Sequence, residues 1–195
     1  MDALWPEADG DAAKKAFDIT LHRLRKLLGA DTAVLIEHGR ASLNTRYCWV
    51  DAFAFAGLVE RIEQDGLASD ALDDALARAL KLYRGPMLGG TSDATWAIAY
   101  RNKLRARFTR LVERAGARYS ASGRTEDAER CYRSALDLDP IAEAIYRSLM
   151  QSLASRGETA AAMDVYRRCR ETLAALLGTK PSPDMVAAYE RTLGP

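Results

Sequence analysis

Apolar positions in the first fifty residues follow two different spacings. Between residues 11 and 28 they recur at intervals of three and four, which predicts an amphipathic helix that Gly29 can end. The apolar stripe of this helix consists of Phe17, Leu21, Leu24 and Leu28. Residues 33–37 and 41–45 then fit two short strands around His38-Gly39-Arg40, where glycine supplies the positive dihedral angle of a hairpin turn. The pattern therefore predicts one helix followed by a β-hairpin.

After Val50 the apolar spacing is helical throughout, so we divide the chain into residues 1–50 and 51–195. Glycines and prolines between the periodic segments mark the ends of the helices. The predicted helices cover residues 52–64, 70–83, 93–121, 125–136, 141–155, 159–177 and 183–193. The sequence thus predicts a mostly α-helical fold with a small helix–hairpin segment at the N terminus.

A period of 34 residues is visible in the helical part. The repeated positions are Gly123, Ala128 and Tyr132 in the first unit and Gly157, Ala162 and Tyr166 in the second. In each unit the glycine marks a turn, the alanine lets two helices approach, and the tyrosine follows one helical turn later. This period is typical of tetratricopeptide arrays, in which stacked helix pairs share a core and leave a concave binding surface. The repeat therefore favours recognition over catalysis.

Since 48% of its 195 residues are apolar, the chain can bury a hydrophobic core. The net charge of +1 gives the whole molecule no signature of nucleic-acid binding. Cys48, Cys131 and Cys169 are odd in number and widely spaced, which indicates free thiols in a reducing cytoplasm. Residues 1–10 lack the features of a signal peptide, and the longest apolar run, 52–59, is too short to cross a bilayer. We expect a cytoplasmic protein without a membrane partner.

Two groups of motifs carry a resemblance to known families. Leu4-Trp5-Pro6, the segment 17–27 and the following hairpin resemble the back half of a winged-helix DNA-binding domain of the OmpR type. The remainder resembles the bacterial transcriptional activator domain of SARP-type regulators. Its matching positions are residues 82–88 (Leu-Tyr-Arg-Gly-Pro-Met-Leu), Trp96, Arg101, residues 138–140 (Leu-Asp-Pro) and residues 181–183 (Pro-Ser-Pro).

The resemblance to the winged helix is partial. In that family a small sheet and two helices precede the recognition helix, whereas this sequence begins near the junction that leads into it. The chain is therefore either a piece of a longer protein or a truncated relative, and we favour the C-terminal piece of a larger regulator. The absent part would normally cover the apolar stripe of helix 11–28.

The resemblance implies that helix 11–28 lies in the major groove of DNA and that the hairpin reaches toward the minor groove. Candidate DNA-binding residues are Lys15, Asp18, Ile19, His22, Arg23, Lys26 and Arg40. The basic side chains can contact phosphates or base edges, and Ile19 can contact a thymine methyl group. Arg40 at the turn suits a narrow minor groove. The alternative is an ordinary solvated helix face and turn.

A second basic stripe follows the long helix 93–121. Its members are the candidate partner-binding residues Lys103, Arg107, Arg110, Arg114 and Arg118. This stripe could follow a phosphate backbone or contact an acidic partner. Alternatively, the arginine stems cover apolar surface while their charged ends stay in water.

Residues for catalysis or metal binding are absent from the pattern. The glycine-rich segment 85–92 has Thr91 where a phosphate-binding loop needs lysine, and no strand precedes it. His22 and His38 lie far apart and lack partners at metal-ligand spacing. We therefore expect no catalytic residues, no metal, no cofactor and no enzymatic activity.

The sequence favours a regulatory module of a bacterial transcription regulator. Its helical part would make protein contacts, including those of a possible homodimer, and its N-terminal part would bind DNA in the intact parent but only weakly in this fragment. The rival interpretation is a tetratricopeptide scaffold that binds a peptide or protein in its concave face and has no role at DNA.

Overall fold

A computed structural model describes residues 4–5, 7–65, 69–88 and 95–193. The elements are α1 (Gly10–Leu28), β1 (Val34–Glu37), β2 (Arg40–Leu43), α2 (Asp51–Asp65), α3 (Ser69–Leu82), α4 (Thr95–Ala121), α5 (Thr125–Leu138), α6 (Glu143–Ser155), α7 (Thr159–Leu177) and α8 (Pro183–Leu193). The predicted mostly α-helical fold is confirmed. The predicted start of the long helix, at residue 93, lies outside the described residues. By compactness the chain divides into two units, Met1–Ala54 and Phe55–Pro195.

The N-terminal unit consists of α1 and the hairpin. The side chain of Asp9 accepts a hydrogen bond of 2.8 Å from the backbone N–H of Ala12, which caps the start of α1. Gly29 ends the helix in the left-handed conformation, with a φ of 71°. A short 3₁₀ turn, Asp31–Ala33, leads into β1. Capping at both ends therefore sets the length of α1.

The hairpin turn is shorter than the sequence suggested. β1 and β2 are antiparallel, with Val34 opposite Leu43 and Glu37 opposite Arg40. Only His38 and Gly39 form the turn, and both have positive φ angles, of 51° and 72°. Two consecutive positive φ angles match the right-handed twist of the strands. The prediction that Arg40 belongs to the turn was therefore wrong, because it is the first residue of β2.

The helical unit is built from antiparallel pairs. α4 packs on α5, α6 packs on α7, and α8 packs on both α6 and α7. The two tight turns at Gly123 and Gly157 have φ angles of 75° and 79°, which glycine adopts without strain. Ala128 and Ala162 are fully buried. The two repeats thus have the same turn geometry and bury the same small residue.

The tyrosines of the two repeats have different neighbours. Tyr132 of α5 is buried, and a Cβ atom added at Gly116 of α4 would overlap its ring. Tyr166 of α7 is half-buried and stacks on Tyr189 of α8, with ring centroids 4.0 Å apart and planes 12° from parallel. The repeated tyrosine therefore packs α4 against α5 in the first repeat and α7 against α8 in the second.

Two arginines of α4 hold connecting segments in place. Arg101 donates hydrogen bonds to the carbonyl oxygens of Met87 and Leu88, at 2.7 and 3.0 Å. The Nε of Arg105 lies 2.6 Å from Oδ2 of Asp139, whose side chain is 2% exposed. A buried carboxylate is stable only when it is paired and hydrogen-bonded. Arg105 therefore ties the link between α5 and α6 to α4.

The three cysteines are free thiols, as predicted. Cys131 and Cys169 are buried, and burial raises the pKa of each thiol to about 12. A thiol with such a pKa stays protonated near neutral pH and is a poor nucleophile. Within the described parts of the chain, no helix combines the length and apolar character needed to cross a bilayer.

The repeat packing gives the first testable prediction. Replacing Ala128 or Ala162 with leucine should lower the free energy of unfolding by about 1–3 kcal/mol, because each alanine is fully buried and a larger side chain overpacks the helix contact. Denaturant melting of both variants measures this change. The control is Ala174→Leu, at an exposed position of α7, which should change stability by less than about 0.5 kcal/mol. Unchanged midpoints for both buried variants would contradict the repeat assignment.

Candidate functional site

One face of α1 is exposed to solvent. Every candidate that the sequence placed on this helix is exposed, namely Lys15, Asp18, Ile19, His22, Arg23 and Lys26. Their spacing brings them to one side of the helix. Ile19 is 45% exposed in the middle of these polar side chains. None of them forms an ion pair with a described residue. The face is therefore available to a ligand.

One flank of α1, next to Asp18, is anchored by Arg25. Its Nε and Nη2 both donate to the carbonyl oxygen of Val34, at 3.3 and 2.7 Å. Val34 and the preceding Ala33 are buried. The contact fixes the angle between α1 and β1, and with it the position of the exposed face relative to the hairpin.

Sequence reasoning missed this role of Arg25, although a signal was present. Arg25 lies four residues after Leu21 and three before Leu28, so it falls at the edge of the predicted apolar stripe. A guanidinium at the edge of an apolar stripe needs an acceptor, since an unpaired charge is costly away from water. The backbone carbonyl of Val34 supplies that acceptor.

The predicted apolar stripe is only partly covered within the N-terminal unit. Phe17 and Leu21 are half-buried, whereas Leu24 and Leu28 are exposed. Trp49 is also exposed, at 73%. The unit therefore exposes the apolar side chains of Leu24, Leu28 and Trp49 as well as the polar face of α1.

Arg40 lies beside the hairpin tip rather than in it. Its side chain is exposed, and its strand partner is Glu37. The tip itself carries His38, which is also exposed. The structure therefore places two exposed side chains with hydrogen-bond donors at this end of the hairpin.

The basic stripe of α4 divides into packed and exposed members. Arg107 donates to the carbonyl oxygen of Ala56 at 3.5 Å. Burial raises the pKa of Asp73, but hydrogen bonds from Tyr119 and Arg124, together with the charge of Arg118, lower it below its usual value. Arg107 and Arg118 therefore contribute to internal contacts.

The other three members of the stripe, Lys103, Arg110 and Arg114, are exposed. Nε of Arg110 lies 4.0 Å from a carboxylate oxygen of Glu63, beyond hydrogen-bond distance. Neither Lys103 nor Arg114 has an ion pair within the described ranges. Of the five residues predicted for the stripe, three are therefore exposed to solvent in the structure.

Metal coordination finds no support in the described residues, which contain no group of three or more His, Cys, Asp or Glu side chains placed to hold an ion. The two histidines lie on different elements, α1 and the hairpin turn. Part of the glycine-rich segment considered above, residues 89–92, lies outside the described residues.

A helix–hairpin unit with an exposed polar face, followed by stacked helical pairs, defines a protein of the recognition class. A family model for the bacterial transcriptional activator domain matches residues 50–193. The chain belongs to this family. Members of the family are domains of transcription regulators and do not form an enzyme class.

Two regulators illustrate the relationship. The chain is 27% identical over 208 residues to the transcriptional regulatory protein MoaR1 of Mycobacterium bovis (strain BCG / Pasteur 1173P2), covering 99% of this chain and 65% of MoaR1. It is 27% identical over 195 residues to the regulatory protein AfsR of Streptomyces griseus, covering 99% of this chain and 20% of AfsR. The chain therefore spans less than two thirds of either relative.

A solved structure shows the same fold. Mycobacterium tuberculosis EmbR, in complex with a low affinity phosphopeptide, matches with a TM-score of 0.64 and 23% sequence identity. The match covers 98% of this chain and 52% of the EmbR chain. At this level of identity the likeness concerns the fold.

The anchor of α1 gives the second prediction. Arg25→Ala should destabilise the packing of α1 on the hairpin by about 1–3 kcal/mol, because the carbonyl of Val34 loses two hydrogen bonds from a charged group. Hydrogen exchange of the amides in residues 10–43 should accelerate. Arg23→Ala, an exposed arginine on the same helix, should leave exchange unchanged. Equal exchange in both variants would show that Arg25 does not hold the helix.

Proposed function

We propose that this chain is the regulatory module of a bacterial transcription regulator and that it acts in the cytoplasm. Residues 1–50 form the C-terminal part of a winged-helix DNA-binding domain, and residues 51–195 form the activator domain that makes protein contacts. One observation carries the proposal. A helix with an unpaired, exposed polar face and a hairpin directly precede the segment that matches the activator family.

The mechanism at DNA follows from the exposed face of α1. A helix of this diameter fits the major groove of B-DNA, which is about 12 Å wide. Lys15, Arg23 and Lys26 contact phosphates and so hold the helix in register. Ile19 contacts a thymine methyl group, and His22 donates to a base edge. The polar face therefore combines non-specific affinity with sequence discrimination.

Beside α1, the hairpin supplies a second contact. Arg40 and His38 lie at the tip end, where they can reach the phosphate backbone or the adjacent minor groove. Because Arg25 fixes α1 on β1, the two contacts are held at a set geometry. Complete orientation on DNA needs the remainder of a winged helix, which residues 1–50 do not contain.

The helical unit supplies the contacts with proteins. Its stacked pairs present a continuous surface, as in other helical arrays. The partner is another part of the same regulator, a second copy of it, or a component of the transcription machinery. EmbR, of which this chain matches 52%, was solved in complex with a low affinity phosphopeptide.

A salt-dependent titration with DNA tests the proposal. We expect this chain to bind duplex DNA weakly, without sequence preference, and with a steep dependence on salt, because its phosphate contacts are present without the full scaffold. The full-length protein encoded by the same gene should bind duplex DNA from its own promoter region more tightly than duplex DNA of random sequence. In that protein, Ile19→Ala and His22→Ala should reduce discrimination more than affinity, by about 1–3 kcal/mol per base contact.

The matched variant is Lys26→Ala, on the same face of α1. It should weaken binding to both duplexes almost equally and lower the salt slope by about one contact. Equal affinity for promoter and random duplex, together with no effect of the Ile19 and His22 changes, would favour the rival function. In that case the chain is a tetratricopeptide scaffold with no role at DNA.

A further inference from the structure

The helix pair α2–α3 is attached to α4 by a cluster of aromatic rings at one of its ends. Phe55 lies near the start of α2, Tyr83 directly follows α3, and Phe108 lies on α4. Tyr83 stacks on Phe108 with ring centroids 4.0 Å apart, and the centroid of Phe55 lies 5.4 Å from that of Tyr83. All three rings are buried. Arg107 of α4 adds its hydrogen bond to the carbonyl of Ala56 at the same end.

The other end of the pair is held by an ion pair. α2 ends at Asp65 and α3 begins at Ser69, so these two helix ends are neighbours. Nη1 of Arg124, in the turn between α4 and α5, lies 2.6 Å from Oδ2 of Asp73 on α3. The two side chains are 40% and 29% exposed. Because water competes for charges at this exposure, the contact can break and form again at little cost.

Two cavities lie along the pair. One, of about 290 Å³, separates part of α2 from α4 and is lined by Val59 and Leu111. The other, of about 250 Å³, separates part of α3 from α5 and is lined by Leu76, Leu80 and Cys131. Helices lose dispersion contacts wherever a cavity separates them. α2 and α3 therefore pack less closely on α4 and α5 along these stretches than at the aromatic cluster.

The later helices are packed more tightly. Ala135 of α5, Ile145 and Tyr146 of α6, and Cys169 of α7 are all fully buried or nearly so. α6 packs on α4, α5, α7 and α8 at once. Helices α4–α8 therefore form a body in which each element is held by its neighbours, whereas α2–α3 depends on the aromatic cluster and one exposed ion pair.

We propose that residues 55–65 and 69–82 form a conformational arm, which opens at its Asp73 end while α4–α8 stay folded. The aromatic cluster of Phe55, Tyr83 and Phe108 is the pivot, and the Asp73–Arg124 pair keeps the arm closed. Opening widens both cavities and exposes their apolar lining. The arm gives the helical unit two states, whose populations a ligand with different affinities for them would change. This inference concerns the helical unit alone and does not depend on DNA binding.

Hydrogen exchange of the intact chain at several urea concentrations tests the inference. We expect the amides of residues 55–65 and 69–82 to share one free energy of opening and to exchange at least about tenfold faster than the most protected amides of α5 and α6. Their exchange should accelerate with urea, because opening of the arm exposes surface. Fraying of a single helix exposes little surface and would show almost no dependence on urea.

Two variants test the ion pair. Arg124→Ala and Asp73→Asn should each accelerate exchange of the arm by about threefold to tenfold, since the closed state loses a contact. The amides of residues 59–64 are the decisive readout, because neither Arg124 nor Asp73 lies on α2. Circular dichroism verifies that each variant is folded.

The matched control is Arg133→Ala. Arg133 is an exposed arginine of α5 whose ion pair with Glu129, at 2.8 Å, lies within that helix. Its removal should leave exchange of the arm unchanged. Salt gives a second comparison, because about 1 M salt shortens the screening length to about 3 Å. High salt should accelerate exchange of the arm more in the unmodified chain than in Arg124→Ala.

Four results would overturn the inference. The amides of the arm share the free energy of opening of α5 and α6, so that the helical unit opens only as a whole; or their exchange is independent of urea; or Arg124→Ala accelerates exchange in α3 but not in α2, which would make the ion pair a local contact; or Arg133→Ala has the same effect as Arg124→Ala. None of these results depends on the DNA titration, so the arm and the proposed function can fail separately.

Discussion

The close approach of α4 and α5 is the constraint on which the rest of the helical unit depends. The ring of Tyr132 occupies the space beside Gly116 where any other residue would place a Cβ atom. Ala128 adds a second small residue at the buried side of α5. Since side chains at the contact set the distance between two helices, larger residues here would separate α4 from α5. α6 packs on both helices and would move with them.

A firmly packed α4 has consequences for its outer side. Arg101 and Arg105 tie connecting segments to the helix, and Arg107 reaches a backbone carbonyl of α2. Removing Arg105, which is itself 32% exposed, would leave the buried carboxylate of Asp139 without its partner, a change that costs up to about 3–5 kcal/mol. The many arginines of α4 are therefore largely structural. Arg110 and Arg114 differ, because both are exposed on the outer side of a helix whose position is fixed from several sides.

The N-terminal unit uses the same device on a smaller scale. One arginine of α1, Arg25, is bound to the carbonyl of Val34, while the basic residues Lys15, Arg23 and Lys26 of the candidate face remain exposed. Side chains on a rigid helix can meet a ligand without a large loss of conformational entropy. An anchored helix beside a two-residue turn thus supports the proposed role at DNA, in which α1 and the hairpin contact neighbouring grooves.

The sequence by itself determined the helices, the repeat and the exposed face of α1. These features depend on local periodicity and on glycines such as Gly123 and Gly157, whose positive φ angles other residues rarely adopt. The end of α7 could be predicted for the same reason, since Gly178 follows it in the left-handed conformation. The length of the hairpin turn could not, because Arg40 fits a turn and a strand equally well until its pairing with Glu37 is known.

Only the tertiary structure decided what each arginine does. The partner of a long, flexible side chain comes from another element, so Arg105 meets Asp139 34 positions away and Arg107 meets Ala56 51 positions away. Packing also gave the two equivalent tyrosines different neighbours, because Tyr132 lies against Gly116 whereas Tyr166 stacks on Tyr189. The surroundings of Arg110 have the same origin. Residues of α2, α4 and the start of α6 lie around it, and only folding brings these distant segments together.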